Sequence, residues 1–172
     1  MAIETDQLST ERSVFREDFS TFYAREVRSV VGLAYILSGS RSGAEDLAQD
    51  AFLAAFRDWE KVGSFDSPGA WVRRVVSRRS VSFLRRRAAA AKALFRLRGE
   101  SVVVPELTAE SDHIWRAVRS LPKRQAQSIA LRFVDGRSIN EIAEILDCSE
   151  NTVKTHLRRA KDTLARRLRE ER

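Results

Sequence analysis

Cysteine is almost missing from this chain: there is one, Cys148, in 172 residues. A single thiol excludes an internal disulfide framework and any multi-cysteine zinc or iron–sulfur site. Histidine is nearly as scarce. His113 and His156 are the only two, too little material for a metal centre. Prolines number three and glycines seven, and most fall between periodic segments, so few helical patterns are interrupted. No apolar run reaches the roughly 18 residues a membrane span needs. The opening MAIETDQLST is polar and acidic, unlike a secretory leader. These absences lead to the expectation of a reducing, cytoplasmic setting and no cofactor.

What is present is a core and an uneven charge. Hydrophobic residues make up 43% of the chain, enough to bury a core. The formal net charge is +7, and its placement says more than its total. Residues 1–70 carry 7 basic and 12 acidic residues. Residues 71–98 carry 10 basic residues and no acidic one. Residues 99–172 are nearly balanced, with 14 basic and 12 acidic. Cations packed that densely repel one another unless something anionic lies against them. A solvated charge run is one reading; a phosphate-binding surface is the sharper one.

The periodicity is helical nearly throughout, and the expected fold class is all-α, as two small helical domains joined by a linker. Apolar residues from Val14 to Leu37 recur at threes and fours. Ser42 with Glu45 fits a capping box for a second helix. That helix has an apolar face of Leu47, Ala48, Ala51, Phe52, Ala55, Phe56 and Trp59. Its other faces carry Asp46, Gln49, Asp50, Leu53 and Arg57, and Leu53 is an apolar residue among polar neighbours. A polar loop, Lys61–Ser67, leads to Ser67-Pro68, a cap followed by proline at the first helical position. The helix beyond interleaves Trp71, Val72, Val75 and Val76 with Arg73, Arg74, Arg78 and Arg79. One face can pack while another meets phosphate. Residues 91–108 read as the linker between domains at 10–90 and 109–172.

Four helical segments follow. Ile114, Trp115, Val118 and Leu121 are expected inward in the first, and Ala126, Ile129, Ala130 and Phe133 in the second, which ends near Gly136. Ser138 and Glu141 form a second capping-box pair. A short helix, a break at Asp147-Cys148-Ser149 and a long helix then make a helix-turn-helix pattern. Val153, Leu157, Ala160, Leu164 and Leu168 would face inward. Ser149, Asn151, Thr152, Lys154, Thr155, Arg158 and Arg159 would face DNA. Asn suits adenine, Arg suits guanine, and Lys and Ser suit phosphates. A plain helical hairpin with a basic solvent face is the bland alternative.

Residues 15–87 and 110–168 together resemble the sigma-70 family of RNA polymerase sigma factors, of the small extracytoplasmic-function (ECF) type. Ala44-Glu45-Asp46-Leu47-Ala48-Gln49-Asp50-Ala51-Phe52 resembles the family's polymerase-binding segment. Ser67 to Arg74, continuing to Leu84-Arg85-Arg86-Arg87, resembles its −10 helix. Leu121 to Gln125, Ile142 to Leu146 and Asn151 to Lys154 resemble its −35 domain. The resemblance implies RNA polymerase core, through its beta-prime and beta subunits, and promoter DNA as partners; it also admits an anti-sigma factor. Asp46, Gln49, Asp50, Leu53 and Arg57 would meet polymerase. Ser64, Phe65 and Asp66 would line a pocket for an extruded −10 base, with Trp71, Arg73, Arg74, Arg78 and Arg79 along the strand. Arg78, Ser82 and Asp147 depart from the residues the family often shows there, so its −10 sequence preference is not carried over. Two other readings compete. Thr152 to Leu157 also resembles the DNA-binding domain of response regulators, but residues 1–87 lack the strand–helix alternation of a receiver. Asp46 and Asp50 could be a catalytic pair, yet no His, Cys or metal set accompanies them, so no enzyme is expected.

Overall fold

The computed structural model describes residues 17–98 and 109–170. Among these there are eight helices and no strand. The first, α1, spans Phe19–Ser38. Asp18 starts it, its carboxylate accepting from Thr21 N at 2.8 Å, and Gly39 ends it in the left-handed conformation at φ 73°. The proposed earlier start at Val14 lies outside the described residues. The second helix, α2, spans Arg41–Arg57, and its cap is Ser40, not the expected Ser42. The left-handed turn at Gly39 puts Ser40 in extended backbone, where its hydroxyl accepts from Gly43 N at 3.2 Å. Ser42 is already helical.

A single turn, α3, covers Trp59–Val62, and α4 covers Pro68–Arg98. Ser67 Oγ accepts from Ala70 N at 3.2 Å, the predicted cap before proline. Helical backbone continues through Arg98, well into the segment expected to be a linker. Residues 99–108 lie outside the described residues.

Helices α1, α2 and α4 pack around Phe22, Val30, Leu33, Leu47, Ala51, Phe52, Val72 and Val76, all buried. Burying one such Phe or Leu side chain is worth about 1.5–3 kcal/mol. Gly43 lets α2 and α4 meet closely, because a Cβ there would lie 2.5 Å from the Phe83 ring. Trp59 stacks against Phe22 at 4.8 Å between ring centroids, which anchors α3.

The remaining helices are α5 (Ala109–Arg119), α6 (Lys123–Phe133), α7 (Ile139–Leu146) and α8 (Glu150–Glu170). Their core contains Val118, Leu121, Ile129, Leu131, Ile142, Ile145, Leu146, Val153, Leu157 and Ala160. Ile114 and Phe133 were expected inward, but they are 45% and 58% exposed. Phe133 lies in the last turn of α6, where the Lys161 ammonium sits 5.4 Å from its ring. The two halves touch along a seam, α4 against α7 and α1 against α6.

Candidate polymerase and promoter interfaces

The outer face of α2 follows from its inner one. Leu47, Ala48, Ala51, Phe52 and Ala55 are buried, which leaves Asp46, Gln49, Asp50, Leu53 and Arg57 exposed. Leu53 is 43% exposed, as its polar neighbours suggested. Phe56, assigned to the inner face, is instead 60% exposed. It lies at the end of α2, edge-on to Phe19 at 5.0 Å. Phe56, Leu53, Phe52, Phe19 and Tyr23 line an open apolar groove of about 550 Å³ between α1 and α2. Reading α2 alone could not find this groove, because half its wall comes from α1.

The α3–α4 loop presents Ser64, Phe65 and Asp66 to solvent. Ser64 Oγ donates to Lys61 O at 2.7 Å, which tightens the turn, and Phe65 is 37% exposed. On α4, Arg78 and Arg79 are exposed and Trp71 is half-buried. Arg79 Nη1 lies 2.6 Å from Asp50 Oδ2, so these two expected binding residues spend charge on each other.

Arg73 departs from the expectation of a strand-facing cation. Its side chain is 1% exposed. Its Nε and Nη2 donate to Asp135 at 2.5 and 3.0 Å. Nη1 donates to Glu26 at 2.7 Å and to Gly69 O at 3.1 Å, and Nη2 also reaches Ser29 Oγ at 2.9 Å. Arg73 points away from Arg78 because α4 turns this face to α1 and the seam. A single-helix wheel cannot show that, since Asp135 is 62 residues away. Arg74 is partly withdrawn too, and its Nη2 donates to Glu144 O on α7 at 2.5 Å. Burial alone would raise the Glu26 carboxyl, but Arg73 and Arg25 outweigh it and hold it below its ordinary value.

The helix-turn-helix is built as its caps predicted. Ser138 Oγ accepts from Glu141 N at 3.2 Å, and Glu141 accepts from Ser138 N at 2.8 Å. The Ser138 N–H and hydroxyl, with Arg137 nearby, depress the Glu141 carboxyl to about 2. Asp147 turns the chain in the left-handed region at φ 56°. Ser149 caps α8, its hydroxyl accepting from Thr152 N at 3.1 Å. Val153, Leu157 and Ala160 are buried, while Asn151, Lys154, Arg158 and Arg159 are exposed and Thr152 and Thr155 are half-buried. Lys154 leans toward Glu150 at 3.9 Å. Burial, Arg124 and Arg159 together lower the His156 pKa, which favours the neutral ring. Burial raises the Cys148 thiol, the opposite of an activated thiolate.

Among the described residues, no group of His, Cys, Asp and Glu could hold a metal ion, and no helix is long and apolar enough to cross a membrane. Residues 22–90 match the model for sigma-70 region 2, and residues 111–164 match that for sigma-70 region 4. The ECF RNA polymerase sigma factor SigM of Mycobacterium tuberculosis is 31% identical over 159 residues, covering 89% of this chain and 78% of that one. The chain belongs to the ECF sigma factors of the sigma-70 family. The ECF sigma-E factor of Escherichia coli is 28% identical, covering 93% of this chain and 92% of its own. In structure, the sigma factor RpoE of Bartonella quintana, solved with the anti-sigma factor NepR, superposes with a TM-score of 0.71 at 23% identity. That match covers 90% of this chain and 99% of the other. At that identity the likeness carries the fold: an all-α ECF sigma architecture. The response-regulator reading is not favoured, because region 2 occupies the place of a receiver.

Proposed function

We propose a division of labour for this ECF sigma factor. Residues 10–90 bind RNA polymerase core and the −10 element, residues 109–172 bind the −35 element, and 91–108 connect them. The outer face of α2, from Asp46 to Arg57, docks on core. The loop around Phe65 captures a −10 base, and Trp71, Arg74, Arg78 and Arg79 follow the opened strand. Helix α8 enters the major groove with Asn151, Thr152, Thr155 and Arg158 toward bases and Ser149, Lys154 and Arg159 toward phosphates. The observation that supports this best is the clean split of α8, with Val153, Leu157 and Ala160 buried and Asn151, Lys154, Arg158 and Arg159 exposed. Such a split leaves the first two turns free to enter a groove. Work of this kind is done beside polymerase in the cytoplasm. It requires no bond-making by the chain, so the protein acts as a factor and not as an enzyme. Relatives such as RpoE were solved with anti-sigma factors, and the apolar groove between α1 and α2 is a fitting place for one. The experiment is to add the purified protein to core polymerase and map transcript starts across a genome. New starts sharing spaced −35 and −10 sequences are expected. Starts identical to those of core alone overturn the reading.

A further inference from the structure

Helix α8 begins with the wrong charge for a surface that meets DNA. From Cys148 to Lys161 the chain carries four cations, Lys154, Arg158, Arg159 and Lys161, and a single acid, Glu150. That acid is the first residue of α8, at the end that a recognition helix inserts into the major groove. Its side chain is 50% exposed. A carboxylate there is repelled by the phosphates of any duplex, whatever the sequence, unless a base edge offsets the repulsion.

Holding the start of the helix does not account for it. Ser149 already caps α8: its hydroxyl accepts from Thr152 N at 3.1 Å and lies 2.9 Å from Thr152 Oγ1. The Glu150 carboxylate is instead bracketed from two sides. Asn140 Nδ2, on α7, donates to its Oε1 at 3.4 Å, and Lys154 Nζ lies 3.9 Å from its Oε2. The first contact crosses from the preceding helix of the helix-turn-helix and fixes where the group stands. The second is a long ion pair between half-exposed side chains, which contributes little and is readily exchanged. A phosphate that recruits Lys154 leaves Oε2 open, while Asn140 keeps Oε1 in place.

The major groove offers a carboxylate few partners. Cytosine presents its N4 amino group, a donor. Guanine N7 and O6 and thymine O4 are acceptors, which repel an anion. Adenine sets the N7 acceptor beside its N6 donor, so it is an intermediate case. A carboxylate therefore selects with both signs at one position: it accepts from cytosine and rejects guanine and thymine. Rejecting the wrong partner with an unpaired charge is as real a source of specificity as attracting the right one.

We propose that Glu150 is a specificity-determining residue of the −35 interface, a carboxylate held by Asn140 that accepts a hydrogen bond from a cytosine N4 amino group and excludes guanine and thymine there. Asn140 is its positioning residue. The inference rests on the reading that α8 enters the major groove, and it adds to the base-facing residues a group of opposite charge.

The test uses holoenzyme, reconstituted from the full chain and core polymerase. Its duplex pool has a fixed −10 element, taken from a mapped transcript start, and a randomised −35 region. Bound duplexes are sequenced. Wild type is expected to enrich cytosine at one position and to deplete guanine and thymine there about ten-fold. Glu150→Gln is expected to move that position to adenine, because a carboxamide pairs with adenine N6 and N7 together. Glu150→Ala is expected to flatten the position and to bind the unselected pool more tightly than wild type, since the repulsion is gone. Asn140→Ala leaves the net charge unchanged, and it is expected to blur the same position alone with the salt slope unaltered. A Glu150 that only stabilises α8 behaves otherwise: both substitutions lower the melting temperature and weaken all duplexes alike. That result overturns the proposal, and so does an unchanged base preference in Glu150→Gln. A wild-type pool with no enrichment anywhere in the −35 region overturns the proposed role of α8 itself, and Glu150 falls with it. Enrichment that the Glu150 variants reproduce in full removes Glu150 alone.

Discussion

Arg79 Nη1 lies 2.6 Å from Asp50 Oδ2, so the helix that faces promoter DNA in our reading is tied to the helix that faces polymerase. Both side chains are about half exposed, at 46% and 56%, and such pairs contribute only about 0.2–1 kcal/mol. Asp50 is therefore free to change without threatening the fold. Asp50→Arg combined with Leu53→Ala is expected to lower affinity for core polymerase about ten-fold while keeping helicity and a melting temperature within a few degrees. A quantitative pull-down reads the affinity, and circular dichroism reads the fold. Unchanged capture of core by a folded variant removes α2 from the docking surface.

Acid should weaken the helix-turn-helix through a defined group. The Glu141 carboxyl titrates at about 2 when folded, against an ordinary 4.5, because Ser138 N–H, the Ser138 hydroxyl and Arg137 favour its charged form. A depressed carboxylate stabilises the fold above its unfolded pKa, and that contribution is lost as pH falls from about 4.5 toward 2. Its side chain is 42% exposed, so solvent screens the effect to about 1 kcal/mol. Glu141→Gln is expected to lower stability by that amount at pH 7 and to match wild type near pH 2. Denaturant melts at the two pH values check it. An equal loss at both would show that charge has no part in this cap.

This capping box was legible from Ser138 and Glu141 alone, because a cap is local: both partners lie within one turn. So were the buried positions Leu47, Ala48, Ala51, Phe52 and Ala55 of α2 and Val153, Leu157 and Ala160 of α8, where helical period and chemistry agree. The first cap was misplaced by two residues, at Ser42 instead of Ser40, because Gly39 in a left-handed turn decides where α2 begins. Phe56, Phe133 and Ile114 were placed inside on periodicity, yet exposure is settled by which neighbouring helix arrives. Arg73 was the largest departure. Its strip of sequence is uniformly cationic, and nothing local to it announces Asp135, Glu26 and Ser29 on other elements.

Asp147 is the non-glycine residue with positive φ among the described residues, at 56°. A left-handed L-residue costs about 1–2 kcal/mol, less for Asp, and glycine removes the cost while giving back some unfolded-chain entropy. Asp147→Gly is expected to stabilise the protein by about 0.5–1 kcal/mol. Cys148 N, which donates to Ala143 O at 3.0 Å, would keep its partner. A higher denaturation midpoint with the same denaturant slope checks this. A lower midpoint would mean that the Asp147 side chain holds the turn by a contact of its own.

Phe65 is 37% exposed at the tip of the α3–α4 loop, and no ring among the described residues stacks on it. A base–aromatic stack is worth about 1–3 kcal/mol. Phe65→Ala is expected to leave the closed promoter complex nearly intact and to reduce strand opening at least several-fold. Permanganate reactivity of unpaired thymines follows opening directly. Normal reactivity in a folded Phe65→Ala variant would place the extruded base elsewhere.

Lys154 and Arg158 lie four residues apart on the exposed face of α8, and the groove should treat them differently. Lys154 is half exposed and shares its charge with Glu150 at 3.9 Å, the behaviour of a mobile cation that any phosphate can recruit. Arg158 is exposed one turn further along, and its planar fork can meet guanine O6 and N7 together. Arg158→Ala is therefore expected to cost about 1–3 kcal/mol on the cognate −35 duplex and to relax preference at one position. Lys154→Ala should weaken cognate and scrambled duplexes alike and reduce the salt slope by about one counterion. Its loss is deepened by Glu150, which without its ion-pair partner repels the duplex. Titrations on both duplexes at several salt concentrations separate the two behaviours. If Arg158→Ala loses affinity equally on both duplexes, Arg158 grips backbone only, and the reading of sequence must come from Asn151, Thr152 or Thr155 in the first turns of α8.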